Sequence, residues 1–369
     1  MKFDRRLLIN FDWMLLLLLL GLCVIGILNI YSAGYSLSDF KQETLYVKQA
    51  QWIMIGLVLM GITVCIDYHL ICRYAYIIYA FSVLLLLLVA LYGYTTHGSQ
   101  RWIMIQGFSF QPSELVKLTT IIALAKYFDE HRIQKSYNLK ELLIPFFIVF
   151  IPFSFILKQP DLGTALVLLI IFTSITFFVG VQWKSLVLAI VSVLIVTPFS
   201  WFFLKDYQRE RIITFFNPES DPLGSGYHII QSIIAVGSGG IIGKGYLKGT
   251  QTQLKFLPVQ QTDFVFSVFA EEWGFMGALI VMVMFLALVL WCLKIALHSR
   301  DLLGMLISFG ISMLIFWEVF INIGMVLGLL PVVGIPLPFL SYGGSSMIVL
   351  MVAMGFLMNI SMRRFILHP

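Results

Sequence analysis

The stretch Trp13–Ala33, WMLLLLLLGLCVIGILNIYSA, carries no charged side chain. At about 1.5 Å per residue it makes a helix roughly 30 Å long, the thickness of a bilayer's hydrocarbon core. Lys2, Arg5 and Arg6 precede it and no small-residue cleavage site follows, so it reads as an uncleaved first helix. Similar runs recur to the far end, at 47–66, 75–94, 113–128, 141–157, 161–180, 185–204, 263–297, 303–330 and 341–362. They are continuous and leucine-rich, as in Leu84–Leu88, whereas a membrane β-barrel needs alternation.

The composition agrees. Of 369 residues 60% are hydrophobic and 12% charged, against about 25% charged in a soluble domain. The sequence therefore predicts an all-α integral membrane protein, a single polytopic domain over residues 1–369 with about ten transmembrane helices. The net charge of +5 is spread between apolar segments rather than gathered on one basic face, which favours anionic membrane lipid over nucleic acid as a partner. Cys23, Cys65, Cys72 and Cys292 show neither CxxC nor metal-ligand spacing.

With the N-terminus inside, the inner connections collect Arg5, Arg6, Arg73, Arg132, Lys140, Lys184, Arg300, Arg363 and Arg364, and the outer ones only Lys41, Lys48, Arg101, Lys117 and Lys158. The positive-inside rule then puts both termini in the cytoplasm. The same topology places residues 205–262, between helices 7 and 8, outside as one large extracytoplasmic loop. Within it Tyr227–Val236 is amphipathic and runs into Gly237-Ser238-Gly239-Gly240, the pattern of a re-entrant or surface-lying segment, although an exposed flexible loop would share it.

Ionisable groups beside apolar runs are the informative ones, because a charge in hydrocarbon must be paired or wetted. Gln111-Pro112-Ser113-Glu114 opens the fourth span, with Lys117 three residues beyond Glu114; the pair either stabilises the helix start or serves a ligand. Asp161, after Lys158-Gln159-Pro160, either caps Gly163 and Thr164 or points into a cavity. Asp263 opens the eighth span as a cap or a reactive carboxylate, and of the deeper acids only Glu271 shares its side of an ideal helix, Glu272 facing away. Ser341-Tyr342-Gly343-Gly344-Ser345-Ser346 could present N–H groups and hydroxyls to a diphosphate, or pack helices closely. In span nine Glu318 and Asn322 read as hydrogen-bonding groups, and no Walker loop, GxGxxG or HExxH occurs, which argues against a nucleotide cofactor.

Four blocks taken together resemble the SEDS family (shape, elongation, division and sporulation). They are Phe110-Gln111-Pro112-Ser113-Glu114-Leu115-Val116-Lys117, Gln159-Pro160-Asp161-Leu162-Gly163-Thr164, Thr262-Asp263-Phe264 through Glu271-Glu272, and Pro338-Phe339-Leu340-Ser341-Tyr342-Gly343-Gly344-Ser345-Ser346. The wording around Leu257-Pro258-Val259-Gln260-Gln261 is closer to the elongation branch (RodA) than to the division branch (FtsW). The resemblance implies a peptidoglycan glycosyltransferase of the bacterial inner membrane that polymerises lipid II on the outer face during elongation. It also implies a class B penicillin-binding protein, a single-pass transpeptidase, as partner within the elongation machinery.

By the family's motifs Asp263 would be the catalytic carboxylate, with Glu114, Lys117 and Asp161 lining its cavity. Arg101, Lys117, Arg209 and Arg211 are the cations on the predicted outer side that could face a diphosphate, with Gln111, Ser341 and Ser345 as further binding groups. The diphosphate admits a divalent cation, magnesium or manganese, though scattered carboxylates do not require one. Many relatives carry a histidine just before the Thr-Asp pair where this chain has Gln261, a departure that bears on any mechanism using it. Rival readings are a lipid II flippase, for which an internal repeat would be expected, and a scaffold whose carboxylates are replaceable.

Overall fold

The computed structural model describes residues 10–35, 44–96, 99–105, 108–133, 136–200, 202, 206–221, 224–254, 256 and 259–364. Lys2, Arg5, Arg6, Lys41, Leu257 and Pro258, all named above, and Lys205 at the start of the segment 205–262 lie outside them. A helix stands at each of the ten places the hydropathy indicates: α1 (Trp13–Gly34), α2 (Leu45–Cys65), α4 (Ala75–Tyr92), α5 (Pro112–Glu130), α6 (Leu143–Lys158), α7 (Leu162–Val179), α8 (Trp183–Ser200), α12 (Val265–Leu297), α13 (Leu302–Val326) and α14 (Gly344–Arg363). Seven of them are long and apolar enough to cross a membrane. The exceptions are α6 and α8, whose apolar stretches are short, and α5, which is rich in charge. Shorter helices are α3 (Tyr68–Arg73), α9 (Asp206–Phe216), α10 (Ser225–Ser238) and α11 (Thr250–Gln253).

The centre of the bundle is α14, which runs along α2 and also meets α5, α12 and α13. Small residues allow the close approach: a methyl added at Gly56 would press on Met351, and one at Gly355 on Met60 and Thr63. The last carbonyls of α2 have no helical partner of their own. Asn359 of α14, almost wholly buried, supplies it, its amide donating to Thr63 O at 2.7 Å and Val64 O at 3.1 Å. At the other end of the chain Asp12 caps α1 by accepting from Leu15 N (3.2 Å) and also takes the Trp291 indole N–H of α12 (2.9 Å).

Two features depart from the hydropathy reading. The connection between α4 and α5 is a three-stranded antiparallel sheet, β1 (Tyr94–Thr96), β2 (Ser99–Ile105) and β3 (Phe108–Phe110), with Ile103 opposite Phe110. The long span 263–297 is not one helix: α12 breaks at Gly274, which takes φ +65°. The break frees backbone groups that must find partners, and the glycine turn after α10 provides them. Lys244 N and Gly245 N donate to the carbonyls of Glu271 (3.1 Å) and Glu272 (3.0 Å), while Phe275 N and Met276 N donate to Gly240 O (2.9 Å) and Ile241 O (3.1 Å). A side chain at Gly274 would meet Ile241 O at 2.7 Å. The segment 239–245 is therefore the missing piece of the broken helix.

Candidate functional site

Asp263 lies in the turn just before α12, and its neighbours hold the main chain of that turn almost atom by atom. The Ser341 hydroxyl donates to Thr262 O (2.6 Å), the Asn322 amide to Asp263 O (2.9 Å) and the Asn29 amide to Val265 O (2.8 Å). Tyr342 N donates to Gln261 O (2.9 Å), and the Gln260 side chain reaches back to Ala33 O of α1 (2.7 Å). The carboxylate is left out of this scaffolding. Phe264 holds the N-cap position of α12 and no side chain caps that helix, so the capping alternative for Asp263 is not what the structure shows. Gly334, at φ +73°, brings the loop between α13 and α14 against the carboxylate, where an added methyl would sit 3.4 Å from Oδ2.

Asp161 does cap. It precedes α7 and accepts from Thr164 N at Oδ1 (3.3 Å) and from Thr164 Oγ1 at Oδ2 (3.0 Å), and the Gln111 amide donates to the same Oδ2 at 3.3 Å. Arg101, carried on β2, places its guanidinium 3.8 Å from Asp161 while donating to the carbonyls of Gln159 (3.2 Å) and Pro160. The small sheet thus delivers a cation to the start of α7.

These two acids and the arginines share one electrostatic neighbourhood. Burial pushes the Asp263 carboxyl above its ordinary value and the Asp161 charge adds to the push, against a hydrogen bond from Thr262 and the charges of Arg101 and Arg211. Arg211 therefore acts on Asp263 from α9. Arg209, two residues earlier and so about 200° around the same helix, donates to Phe202 O at 3.2 Å.

Other predicted site residues have different tasks. Lys117 is not an outward cation: only 3% exposed, it lies between Glu114 (2.9 Å) and Glu318 (2.5 Å) inside the bundle. The hydroxyls of Ser341 and Ser345 are committed within the chain rather than presented to an anion. Ser341 also accepts from Leu337 N (2.7 Å), and Ser345 accepts from Gln111 N (2.9 Å) and donates to Ser109 O (3.3 Å). Glu271 turns to the glycine-rich segment, accepting from Lys244 Nζ (2.7 Å) and Gln251 N (3.0 Å), and Glu272 takes the Ser32 hydroxyl. Gln49, which donates to Ser341 O (3.2 Å) and accepts from Gly343 N (3.2 Å), and Asn29 have no signal in the sequence, because an amide inside a hydropathic span does not show what it holds. Among the described residues no three His, Cys, Asp or Glu side chains form a metal cluster.

The chain is similar over nearly its whole length to proteins of one kind. It is 41% identical over 357 residues to the peptidoglycan glycosyltransferase MrdB of Escherichia coli, covering 96% of this chain and 95% of that protein. It is 36% identical to the peptidoglycan glycosyltransferase RodA of Treponema pallidum, covering 96% and 98%. Among solved structures it matches one that describes the structural coordination of polymerization and crosslinking by a peptidoglycan synthase complex, with TM-score 0.82, 32% identity and coverage of 96% and 98%. The Thermus thermophilus rod shape determining protein RodA matches with TM-score 0.72, 28% identity and the same coverage. The family model for the cell cycle proteins FtsW, RodA and SpoVE matches residues 12–365, and the chain belongs to that family.

Proposed function

We propose that this protein is a peptidoglycan glycosyltransferase that polymerises lipid II, the disaccharide-peptide carried on undecaprenyl diphosphate. The observation that carries the reading is Asp263: a carboxylate that caps no helix and takes a hydrogen bond from the adjacent Thr262, on a turn whose main chain is pinned from α1, α13 and the loop before α14, with Arg101 and Arg211 within electrostatic reach. A base held in that way suits proton transfer, since its position is fixed before substrate arrives.

In the reaction Asp263 accepts the proton of the acceptor's sugar hydroxyl as that oxygen attacks the donor's anomeric carbon. The new glycosidic C–O bond forms while the bond to the diphosphate oxygen breaks, with inversion and no covalent sugar intermediate. Arg101 and Arg211 balance the charge gathering on the departing undecaprenyl diphosphate. Among the described residues Asp161 and Asp263 are the acids that could hold a magnesium or manganese ion on the diphosphate, which would help to carry the charge of the leaving group.

The basic residues at the inner connections support an orientation with both termini in the cytoplasm and the Asp263 site on the outer face. A role in elongation follows the relatives named MrdB and RodA, although FtsW proteins also match at 36–38% identity. For the crosslinking partner, a single-pass transpeptidase, we favour the apolar groove of about 390 Å³ between α12 and α13, lined by Phe285, Val289, Phe320, Ile323 and Leu330. Purified protein assayed with lipid II, alone and with such a transpeptidase, tests the function. Glycan strands that disappear in Asp263→Asn support it, and their absence from every reconstituted combination would refute it.

A further inference from the structure

Inside the bundle α5 and α13 meet at Lys117, whose Nζ lies 2.9 Å from Glu114 Oε2 and 2.5 Å from Glu318 Oε1. The three side chains are 3%, 5% and 1% exposed, so two carboxylates and one ammonium share a site that water barely reaches. Fully ionised, this site carries a net negative charge. Glu318 Oε2, moreover, has no hydrogen-bond partner. Charged side chains on the packed neighbours are engaged elsewhere: Asp161 with Arg101, Glu271 with Lys244, Arg363 with Asp67, Lys126 with Glu130, and Glu272 with Ser32. Among the described residues no second cation balances the triad.

An uncompensated buried charge is one of the costliest things a fold can hold, and one proton removes it. The two carboxyls are not equivalent as its carrier. Glu114 stands in the first turn of α5, at the end of the helix whose backbone N–H groups lack intrahelical partners. Glu318 is deep within α13 and has only Lys117 on one of its oxygens. One turn further along α13, Asn322 donates to Asp263 O (2.9 Å) and to Ile335 O (2.7 Å). The same helix face thus connects the triad to the turn that bears the base.

We propose that Glu318 holds a proton in the working protein and that the neutral triad is a positioning device, locking α13 against α5 so that Asn322 fixes the Asp263 turn. The activity arm of the test rests on the polymerase reading; the spectroscopic arm does not. Infrared spectra of the purified parent at neutral pH should show the carbonyl stretch of a protonated carboxylic acid, and Glu318→Gln should remove it. Glu114→Gln should remove it too, because Glu318 then ionises against Lys117 alone. Glu318→Gln resembles the protonated acid in shape and charge, so it should keep lipid II polymerisation near the parent rate. Glu318→Ala, which lets α13 shift, should lower kcat by about 10- to 100-fold. A parent without the protonated-acid band overturns the proposal, as does a folded Glu318→Gln that polymerises no faster than Glu318→Ala. An intact set of spectra with no polymerisation by the parent would strike the polymerase reading instead.

Discussion

Replacing Asp263 with Asn separates chemistry from architecture, because the structure assigns the two to different atoms. The turn is held through the carbonyls of Gln261, Thr262, Asp263 and Val265, all untouched by the substitution, and the carboxylate caps no helix. The volume is nearly unchanged. Stability should therefore move by no more than about 1 kcal/mol, the range for substitutions that break no buried network. Losing a general base typically costs about 10² to 10⁴ in rate, or roughly 3–5 kcal/mol of transition-state stabilisation at ~1.36 kcal/mol per tenfold. Asp263→Asn should thus melt with the parent and bind its transpeptidase normally, yet make glycan at most about one hundredth as fast. The assay is strand formation from purified lipid II, scored beside thermal unfolding of the same preparation. Polymerisation within a few-fold of the parent by well-folded Asp263→Asn would refute the base assignment.

Four further outcomes follow from the structure and the proposed topology. Because Asp263 is held above the ordinary carboxylate range and must be ionised to act, the rate should rise with pH through that raised value. Arg211→Ala removes a positive neighbour, so the acid limb of the rate profile should move to higher pH; a shift to lower pH would break the link between them. Gly274→Ala, forced to φ +65° with its methyl against Ile241 O, should lose about 2 kcal/mol or more in denaturation of the solubilised protein. Stability equal to the parent would mean that the turn 239–245 does not depend on the break. A cysteine at Lys248 should react with a membrane-impermeant thiol reagent in intact spheroplasts, and labelling only after lysis would reverse the proposed orientation.

Much of the bundle was legible because hydrocarbon leaves the backbone few options, and an apolar run of the right length declares a helix. What hydropathy does not register is the conformation of one residue within such a run. Gly274 in Phe269-Ala270-Glu271-Glu272-Trp273-Gly274-Phe275 looks like an ordinary helical glycine, tolerable at a cost of about 1 kcal/mol. Only the presence of Gly240, Gly243 and Gly245 some thirty residues earlier, folded against it, makes the break cheaper than continuity. The sheet around Arg101 escaped notice for a related reason: its strands are short and their pairing is settled by where α4 and α5 end. Glu114 and Lys117 announced themselves by spacing, whereas Glu318 lies two hundred positions away and could join them only through the packing of α13 on α5.

The polar residues around Asp263 hold the backbone of its turn. Ser341 and Ser345, read as binding groups for a diphosphate, spend their donors on carbonyls of this chain, as do Asn322, read as a hydrogen-bonding group, and Gln260. A turn of irregular backbone packed against apolar helices must find most of its partners within the protein, because a buried carbonyl left open costs more than the hydrogen bond is worth in solution. Side chains from distant helices supply those bonds, and each one also removes a freedom of the turn. The requirement that makes the turn stable therefore makes it rigid, and that rigidity fixes the one carboxylate on it that caps nothing. Arg101 and Asp161 follow the same logic at the start of α7, where an N-cap and two capped carbonyls hold a guanidinium in place. In such a site the residues that act on substrate are few, and they are recognised by what the fold leaves unused.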